Sequence, residues 1–397
     1  MIDVLIIGAG PVGVLLSAEL ARHGVAASVV DSRPGSSSGT RAVGVHAAAL
    51  SALEGSGATD RLLDVARLVR TGVASAGGRR LGVVRFDRLA SRHPYVATLP
   101  QHATEAALAA TGAQWGATPA RRGATALHVR AHREAVEVEF GTPGGRADDG
   151  LGPPQRSHRE SARIVVIAGG SRARALSPLT AAARIRPYPD RYLMTDAPDT
   201  SDDGDAAVVR LEPDGVLESF PLPGNMRRYV AWVPSGGVEH GPSAADRLAH
   251  AVARRMSDDA GAAAISDASA FGVRRVLVPT MRDGRVFAIG DAAHEVSPIG
   301  GQGMNLGLLD AVALAPLLAR WVRTGAPPEQ ELAAWEGRRM RSAARAARIA
   351  ALNTVLGRPL SHARDALRRV GVAGALSGRS GTLVAHVYTM GMDGDAA

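Results

Sequence analysis

The chain opens on an apolar run. Val4-Leu5-Ile6-Ile7 has no polar interruption, the pattern of a strand buried on both faces, and predicts a strand over residues 3–7. A glycine-containing turn, Gly8 to Gly13, leads into helical apolar spacing that runs to about His23. A second short apolar run over 27–30 ends in Asp31. Residues 47–68 read as helices with Leu50, Leu53, Leu62 and Leu63 on apolar faces, and Leu99-Pro100-Gln101 opens a helix to about Trp115. Residues 126–132 and 135–140 alternate with period two and predict a hairpin-like pair. Residues 141–161 have the composition of a solvated loop, and 163–168 return to a buried strand. From 184 to 275 the texture changes. Residues 192–195, 207–211, 216–222 and 228–233 read as successive strands between Pro, Gly and Asp turns, which predicts an antiparallel sheet. An apolar strand over 286–289 then runs into Gly290-Asp291, a loop through Pro298, Gly300-Gly301-Gln302-Gly303 and a helix over 306–322. A long Arg- and Ala-rich helix over 327–356 closes the pattern, with Leu332, Trp335, Met340, Ile349 and Leu352 as candidate core positions.

Composition narrows the chemistry. The 397 residues are 46% hydrophobic with a mean hydropathy near zero, a soluble globular balance with length for one large core or two interleaved domains. Cysteine is absent, which excludes disulfides, thiolate metal sites and cysteine nucleophiles. Lysine is absent too, so all 46 basic residues are arginine, and Schiff-base or pyridoxal phosphate chemistry has no amine to use. The net charge of +8 is scattered along the chain and predicts no nucleic-acid site. No signal peptide precedes the first strand and no apolar run reaches the ~20 residues of a membrane span, so the expected location is the cytoplasm. No metal site is predicted.

Three stretches carry candidate chemistry. Gly8-Ala9-Gly10-Pro11-Val12-Gly13 is a G-x-G-x-x-G between strand and helix, with Asp31 18 positions beyond Gly13. Gly8 makes the tight turn, Gly10 lets the backbone approach a pyrophosphate, Gly13 lets helix and strand pack closely, and Asp31 takes an adenosine ribose hydroxyl. On these residues alone the dinucleotide is NAD or FAD. In the second stretch, 285–311, a strand end, a carboxylate, a glycine-rich turn and a helix start are adjacent. A helix N-terminus offers unpaired N–H groups and partial positive charge to an anionic ligand. The third is the strand RIVVIA ending in Gly169-Gly170-Ser171-Arg172.

The 285–311 string resembles the second FAD-binding motif of the class A flavoprotein monooxygenases, the para-hydroxybenzoate hydroxylase family, and the resemblance extends from Asp3 to about Asp393. It implies an α/β fold: a Rossmann-like FAD-binding domain (1–75, 99–178 and 276–325) interleaved with an antiparallel substrate sheet (76–98 and 179–275), and a helical C-terminal region (326–397). It implies FAD held by Gly8, Gly10, Val12, Gly13, Asp31, Ser32, Arg33, Arg41, Gln101, Gly290, Asp291, Gly301, Gln302, Gly303, Met304 and Asn305. Pro298 and Gly300 would lie beside the flavin ring, and Ser219, Phe220 and Trp232 (with Tyr229) on the substrate sheet. His46 either faces the ring pocket or, as a lone histidine at a helix start, serves as a satisfied cap. The chemistry implied is NAD(P)H-driven insertion of one oxygen from O2 into an aromatic or polyketide-like substrate through a flavin C4a-hydroperoxide. The chemistry is flavin-borne, so no protein nucleophile is expected. The absence of lysine and of a Trp-rich motif argues against the related halogenases.

One motif departs from the family. Its Asp-Gly is Gly169-Gly170 here, with Ala173 and Leu176 where a serine and an arginine are expected. That leaves contact with NAD(P)H in question: Arg172 or Arg174 restores it, or reduction is slow or delegated to a partner reductase. A FAD-dependent reductase or dehydrogenase and a non-catalytic flavin-binding protein are the alternative readings.

Overall fold

A computed structural model describes residues 1–35, 42–141, 157–234, 242–391 and 393. The candidate Arg41 lies outside the described residues. The first third contains β1 (Ile2–Ile7), α1 (Pro11–Arg22), β2 (Ala27–Asp31), β3 (Gly44–Val45), α2 (Ala47–Leu53), α3 (Ala58–Leu63), β4 (Arg67–Val69), β5 (Thr71–Ala76), β6 (Arg79–Arg85), β7 (Val96–Thr98) and α4 (Gln101–Gln114). Next come β8 (Arg121–Arg122), β9 (Thr125–Ala131), β10 (Val136–Gly141), β11 (Ser157–Ile167), α5 (Pro178–Ala181), β12 (Arg184–Pro198), β13 (Ala207–Glu212), β14 (Gly215–Leu222), β15 (Met226–Val233), α6 (Ala244–Met256) and α7 (Asp259–Ala263). The last third contains β16 (Ser269–Leu277), β17 (Arg282–Asp283), β18 (Val286–Ala288), β19 (His294–Glu295), α8 (Gln302–Thr324), α9 (Glu329–Leu356), α10 (His362–Ala375) and α11 (Gly378–Tyr388).

Two large sheets organise these elements. The first runs β17-β18-β11-β1-β2-β8, with β1 parallel to both β2 and β11, and β9 and β10 attached beside β11. Val4, Leu5 and Ile6 are fully buried, as an uninterrupted apolar run requires of a strand covered on both faces. The second runs β19-β16-β12-β15-β14-β13-β5-β6 and is antiparallel except where β13 pairs with β5. One face packs Leu193, Leu217, Tyr229 and Ala231 against Leu248 and Val252 of α6. The other face packs Tyr192, Met194, Val216, Val230 and Phe271 together with Ile299 of the 285–311 stretch. This architecture is the α/β domain interleaved with an antiparallel sheet and a helical C-terminus that the resemblance implies.

Several local expectations are corrected. The helices expected over 47–68 stop at Leu63, because Arg67–Val69 pairs with β7 in a small third sheet whose partners lie ~30 residues away. Residues 157–161 form strand rather than loop: Ser157 to Ala162 pair antiparallel with β10 before the same strand turns parallel to β1. The helix after the second motif starts at Gln302, and α6 interrupts a region read only as strands. On α9 the expected core positions Leu332 and Trp335 are fully buried, but Leu352 is 58% exposed, and beyond Arg339 the buried stripe is mostly alanine: Ala343, Ala346, Ala347 and Ala350. Helix α8 has the length and hydropathy of a membrane span, but 67% of its apolar window is buried inside the protein.

Candidate functional site

The first glycine turn is built by collision avoidance. Gly8 takes φ +117°, and a Cβ there would lie 2.5 Å from the Gly169 Cα. A Cβ on Gly13 would fall 1.9 Å from the Gly8 carbonyl oxygen, so only glycine lets α1 start this close to β1. Gly10, the N-cap of α1, is different: a Cβ there meets nothing within 4 Å. The turn is tight below and open above. With Pro11 at N1, the backbone N–H groups of Val12 and Gly13 head the helix. Val12 fastens this turn to the second motif, since Cβ atoms on Gly290 and Gly307 would come within 3.2 and 2.5 Å of its methyls.

At the end of β2, Asp31 accepts from the Ala9 N–H (2.7 Å), the Arg33 N–H (2.8 Å) and the Arg33 guanidinium (3.0 and 2.9 Å). Burial disfavours its charged form, but these donors outweigh it and hold the carboxyl below its usual range. Four bonds fill a carboxylate's lone-pair sites, so a ribose hydroxyl would share Asp31 with Arg33. Ser32 is exposed beside it. Gln101, at the start of α4, donates from Nε2 to Glu105 Oε1 (2.9 Å), and the buried Glu105 carboxylate lies 4.0 Å from Arg33.

The second motif is held from beneath. The Gly290 N–H donates to Asp310 Oδ2 (3.0 Å), which also bonds His294 Nε2 (2.6 Å), while Arg339 Nε donates to Asp310 Oδ1 (2.8 Å). Arg339 reaches Asp393 as well (2.7 Å) and is fully buried. The Asp291 side chain is exposed near the start of α8, its Oδ1 3.8 Å from a Cβ built on Gly303. Its carbonyl accepts from Arg174 (2.6 Å). A turn follows in which the Gly301 N–H donates to the Pro298 carbonyl (2.9 Å), with Gly300 and Gly301 at φ +100° and +66°.

Some expected ligand side chains are already committed to the protein. Asn305 is fully buried; its Oδ1 accepts from the His46 N–H (2.8 Å) and its Nδ2 donates to the Gly44 and Gly301 carbonyls (2.9 Å each). Gln302 turns its amide to the Val387 carbonyl (3.3 Å), and Met304 packs into the core. These three therefore face the turn through their backbone. His46 takes the N-cap position of α2 through its backbone, not through its side chain. Its side chain makes no cap bond and is buried, stacked on Tyr388 of α11 at 5.4 Å, with Nε2 3.3 Å from a Cβ built on Gly301. Burial pulls its pKa down to about 4.

The altered third motif is closed by its own neighbour. A Cβ on Gly169 would lie 2.8 Å from the Ala173 Cβ. Of the two arginines that follow, Arg174 turns inward to Asp291 and Glu295 (2.6 Å), and Arg172 is exposed. On the sheet, Phe220 and Trp232 belong to the face that carries Val216 and Val230, and Trp232 Nε1 donates to Asp190 (3.1 Å). Ser219 and Tyr229 do not join them. They lie on the α6 face, where Ser219 accepts from Arg227 (3.2 Å). Sequence reading passed over Gly307, Asp310, His294, Arg339, Glu105, Glu218 and Tyr388. Only Gly307, five residues into a helix that crosses a glycine turn, left a signal in the pattern.

Residues 1–350 match the family described as "FAD binding domain". The chain is 32% identical to 6-methylpretetramide 4-monooxygenase of Streptomyces rimosus and 30% identical to a rifampicin monooxygenase of Streptomyces venezuelae, over 82% of its length in both cases. It spans 57% and 66% of those two proteins. In three dimensions it superposes on the p-nitrophenol 4-monooxygenase of Pseudomonas putida with a TM-score of 0.83, covering 100% of this chain and 98% of that one at 20% identity, a likeness of fold. The anhydrotetracycline hydroxylase of Streptomyces rimosus superposes with a TM-score of 0.77 at 25% identity, covering 98% and 75%. The open glycine turn and the turn that follows Asp291 are joined through Val12, and with the match over residues 1–350 the chain belongs to the FAD-binding domain family.

Proposed function

We propose that this protein is a FAD-dependent monooxygenase that inserts one atom of O2 into an aromatic or polyketide-like small molecule, with NAD(P)H as electron donor. The observation that carries this reading is a juxtaposition. The open Gly10 turn, Asp291 and the Pro298–Gly301 turn are fastened together, and Ile299 of that turn packs under an aromatic sheet face. The names of the relatives point the same way.

Bound FAD supplies the redox chemistry and the activation of O2. The chain's own residues hold and shape. The backbone of Gly8, Gly10, Val12 and Gly13 cradles the pyrophosphate; Asp31, Ser32 and Arg33 meet the adenosine; Gln101 and Asp291 meet the ribityl chain. The N-terminus of α8, from Gln302 to Met304, places unpaired N–H groups where negative charge collects on a reduced flavin. The sheet face with Phe220 and Trp232 roofs the substrate and excludes water. Residues 1–75, 99–178 and 276–325, apart from β5, β19 and the end of β16, which join the second sheet, form the cofactor half of this arrangement. Exposed Arg172, with no hydrogen bond or ion pair among the described residues, is the cation free to meet an incoming nucleotide phosphate.

The test starts with acid precipitation, which should release free FAD. Anaerobic titration with NADPH, with and without a phenol, then follows. Reduction that a phenol accelerates supports the proposal. A flavin that no pyridine nucleotide reduces removes NAD(P)H from it and leaves a partner reductase as electron source.

A further inference from the structure

Glu218 is out of place for a structural carboxylate. It sits at the centre of β14, opposite Val230 of β15 and Val209 of β13, on the face that packs with Ile299. It is 6% exposed, and among the described residues it has no hydrogen-bond or ion-pair partner. An acid with nothing to stabilise its charge is expensive to bury, so a folded protein that keeps one usually uses it.

Its surroundings exclude the ordinary explanation. Two phenols share its field: the buried Tyr192, whose hydroxyl has no partner, and Tyr388, whose ring stacks on His46 beside the Gly300–Gly301 turn. Burial first and the Glu218 charge second push both phenols up, so neither serves as a proton acceptor near neutral pH. His46 is held neutral by burial. The cations nearby are taken. Arg228 is bound by Asp196 (2.5 and 2.7 Å), and Arg358 by Asp190 (2.7–3.2 Å). Neither of these two guanidiniums is free for a carboxylate-bearing substrate, whereas Glu218 has no partner among the described residues.

The geometry points to Glu218 as the residue that exchanges a proton with a phenolic or enolic hydroxyl of the aromatic substrate. This assignment rests on the function proposed above. The substrate O–H bond breaks, its proton bonds to a Glu218 carboxylate oxygen, and the negative charge passes to the ring, which becomes electron-rich for oxygen insertion. No oxidant or further reactant enters the step. Substrates that are neutral and hydroxylated fit. Their methyl ethers and their benzoate analogues do not, the first lacking the proton and the second meeting an acid without a free cation. Desolvation raises the Glu218 carboxyl to about 8, in the range where a group both gives and takes protons at working pH.

The test uses FAD-loaded protein without reductant and 4-nitrophenol, whose ionised and neutral forms differ in colour. Once the probe's proton sits on Glu218, the protonated carboxyl donates to the phenolate oxygen and stabilises it, so the bound probe ionises at lower pH than it does free. In wild type the titration of bound probe should be displaced downward, and in Glu218→Gln that downward displacement should vanish while the protein still binds the probe. Glu218→Leu should bind 4-nitrophenol about ten- to hundredfold more weakly, with 4-nitroanisole binding unchanged. Identical titrations in wild type and Glu218→Gln, or no saturable binding to wild type, would overturn the assignment. A displaced titration without substrate-dependent oxygenation would leave the assignment standing and remove the proposed function. Oxygenation with an undisplaced titration would do the reverse.

Discussion

A Cβ added at Gly10 meets open space at φ −80°, whereas one added at Gly8 or Gly13 strikes backbone. Gly10→Val should therefore fold as well as wild type without cofactor, yet purify with little flavin because its side chain occupies the pyrophosphate position. Absorbance at the flavin bands against protein concentration measures this, and full occupancy would show that the cofactor lies elsewhere. Gly169 behaves in the opposite way. Restoring the family aspartate drives a Cβ into Ala173 at 2.8 Å. Gly169→Asp should lower stability by about 1–3 kcal/mol, an overpacking cost that Ala173→Gly in the same chain relieves. Denaturant unfolding of the single and double variants decides it. The glycine spacing and the acid at Asp31 were legible because a local turn demands them. Asn305 and Glu218 were not legible. Asn305 is bound to His46, 259 positions away, and Glu218 gains its meaning from a sheet face and from Tyr388 on the last helix.

Among elements, the buried junction of α8, α9 and the Gly290 turn holds the second motif in place. Asp310 bonds Gly290, His294 and Arg339 at once. Removing one partner strands a buried charge, so Arg339→Met should cost about 3–5 kcal/mol and loosen FAD binding, while Asp310→Asn/Arg339→Met together should cost less than the sum. The junction also has a pH signature. Burial opposes the Asp310 charge, but His294 and Arg339 outweigh it and bring the carboxyl down to about 2. Its contribution is present above the unfolded value near 4 and is lost as pH falls toward 2. Burial lowers His294, but the Asp310 carboxylate outweighs it and the net shift is upward. That contribution is full below about 6.5, the unfolded value, and is lost as pH rises through the folded one. Tm against pH should decline on the alkaline side in wild type and flatten in His294→Gln; parallel profiles would remove this account of the junction. Strands with strong alternation were legible as elements. Pairings such as Ser157 with Gly141 were not, because register is set by a partner rather than by the strand itself.

At the scale of the molecule, the cofactor sheet, the antiparallel sheet and the C-terminal helices meet at one turn, Pro298 to Gly301. The first sheet delivers the Gly10 turn, the second lays Ile299 under an aromatic face, and α11, beyond residue 350 where the family match ends, brings Tyr388 against His46. The two-sheet plan was legible from the switch between uninterrupted apolar runs and alternating ones. The closing helix over 327–356 was legible as an element, but not its packing, since an Arg- and Ala-rich pattern does not say which sheet it covers. On this reading the shared turn holds a flavin that passes oxygen to a hydroxylated aromatic. The most direct measurement is the mass of the product formed from a phenol, NADPH and oxygen-18 dioxygen by the FAD-loaded protein. The product should be heavier by one labelled oxygen, in amounts that follow substrate-dependent NADPH consumption. Unlabelled product, or oxidised product with no added oxygen, would contradict it and identify a dehydrogenase on the same fold.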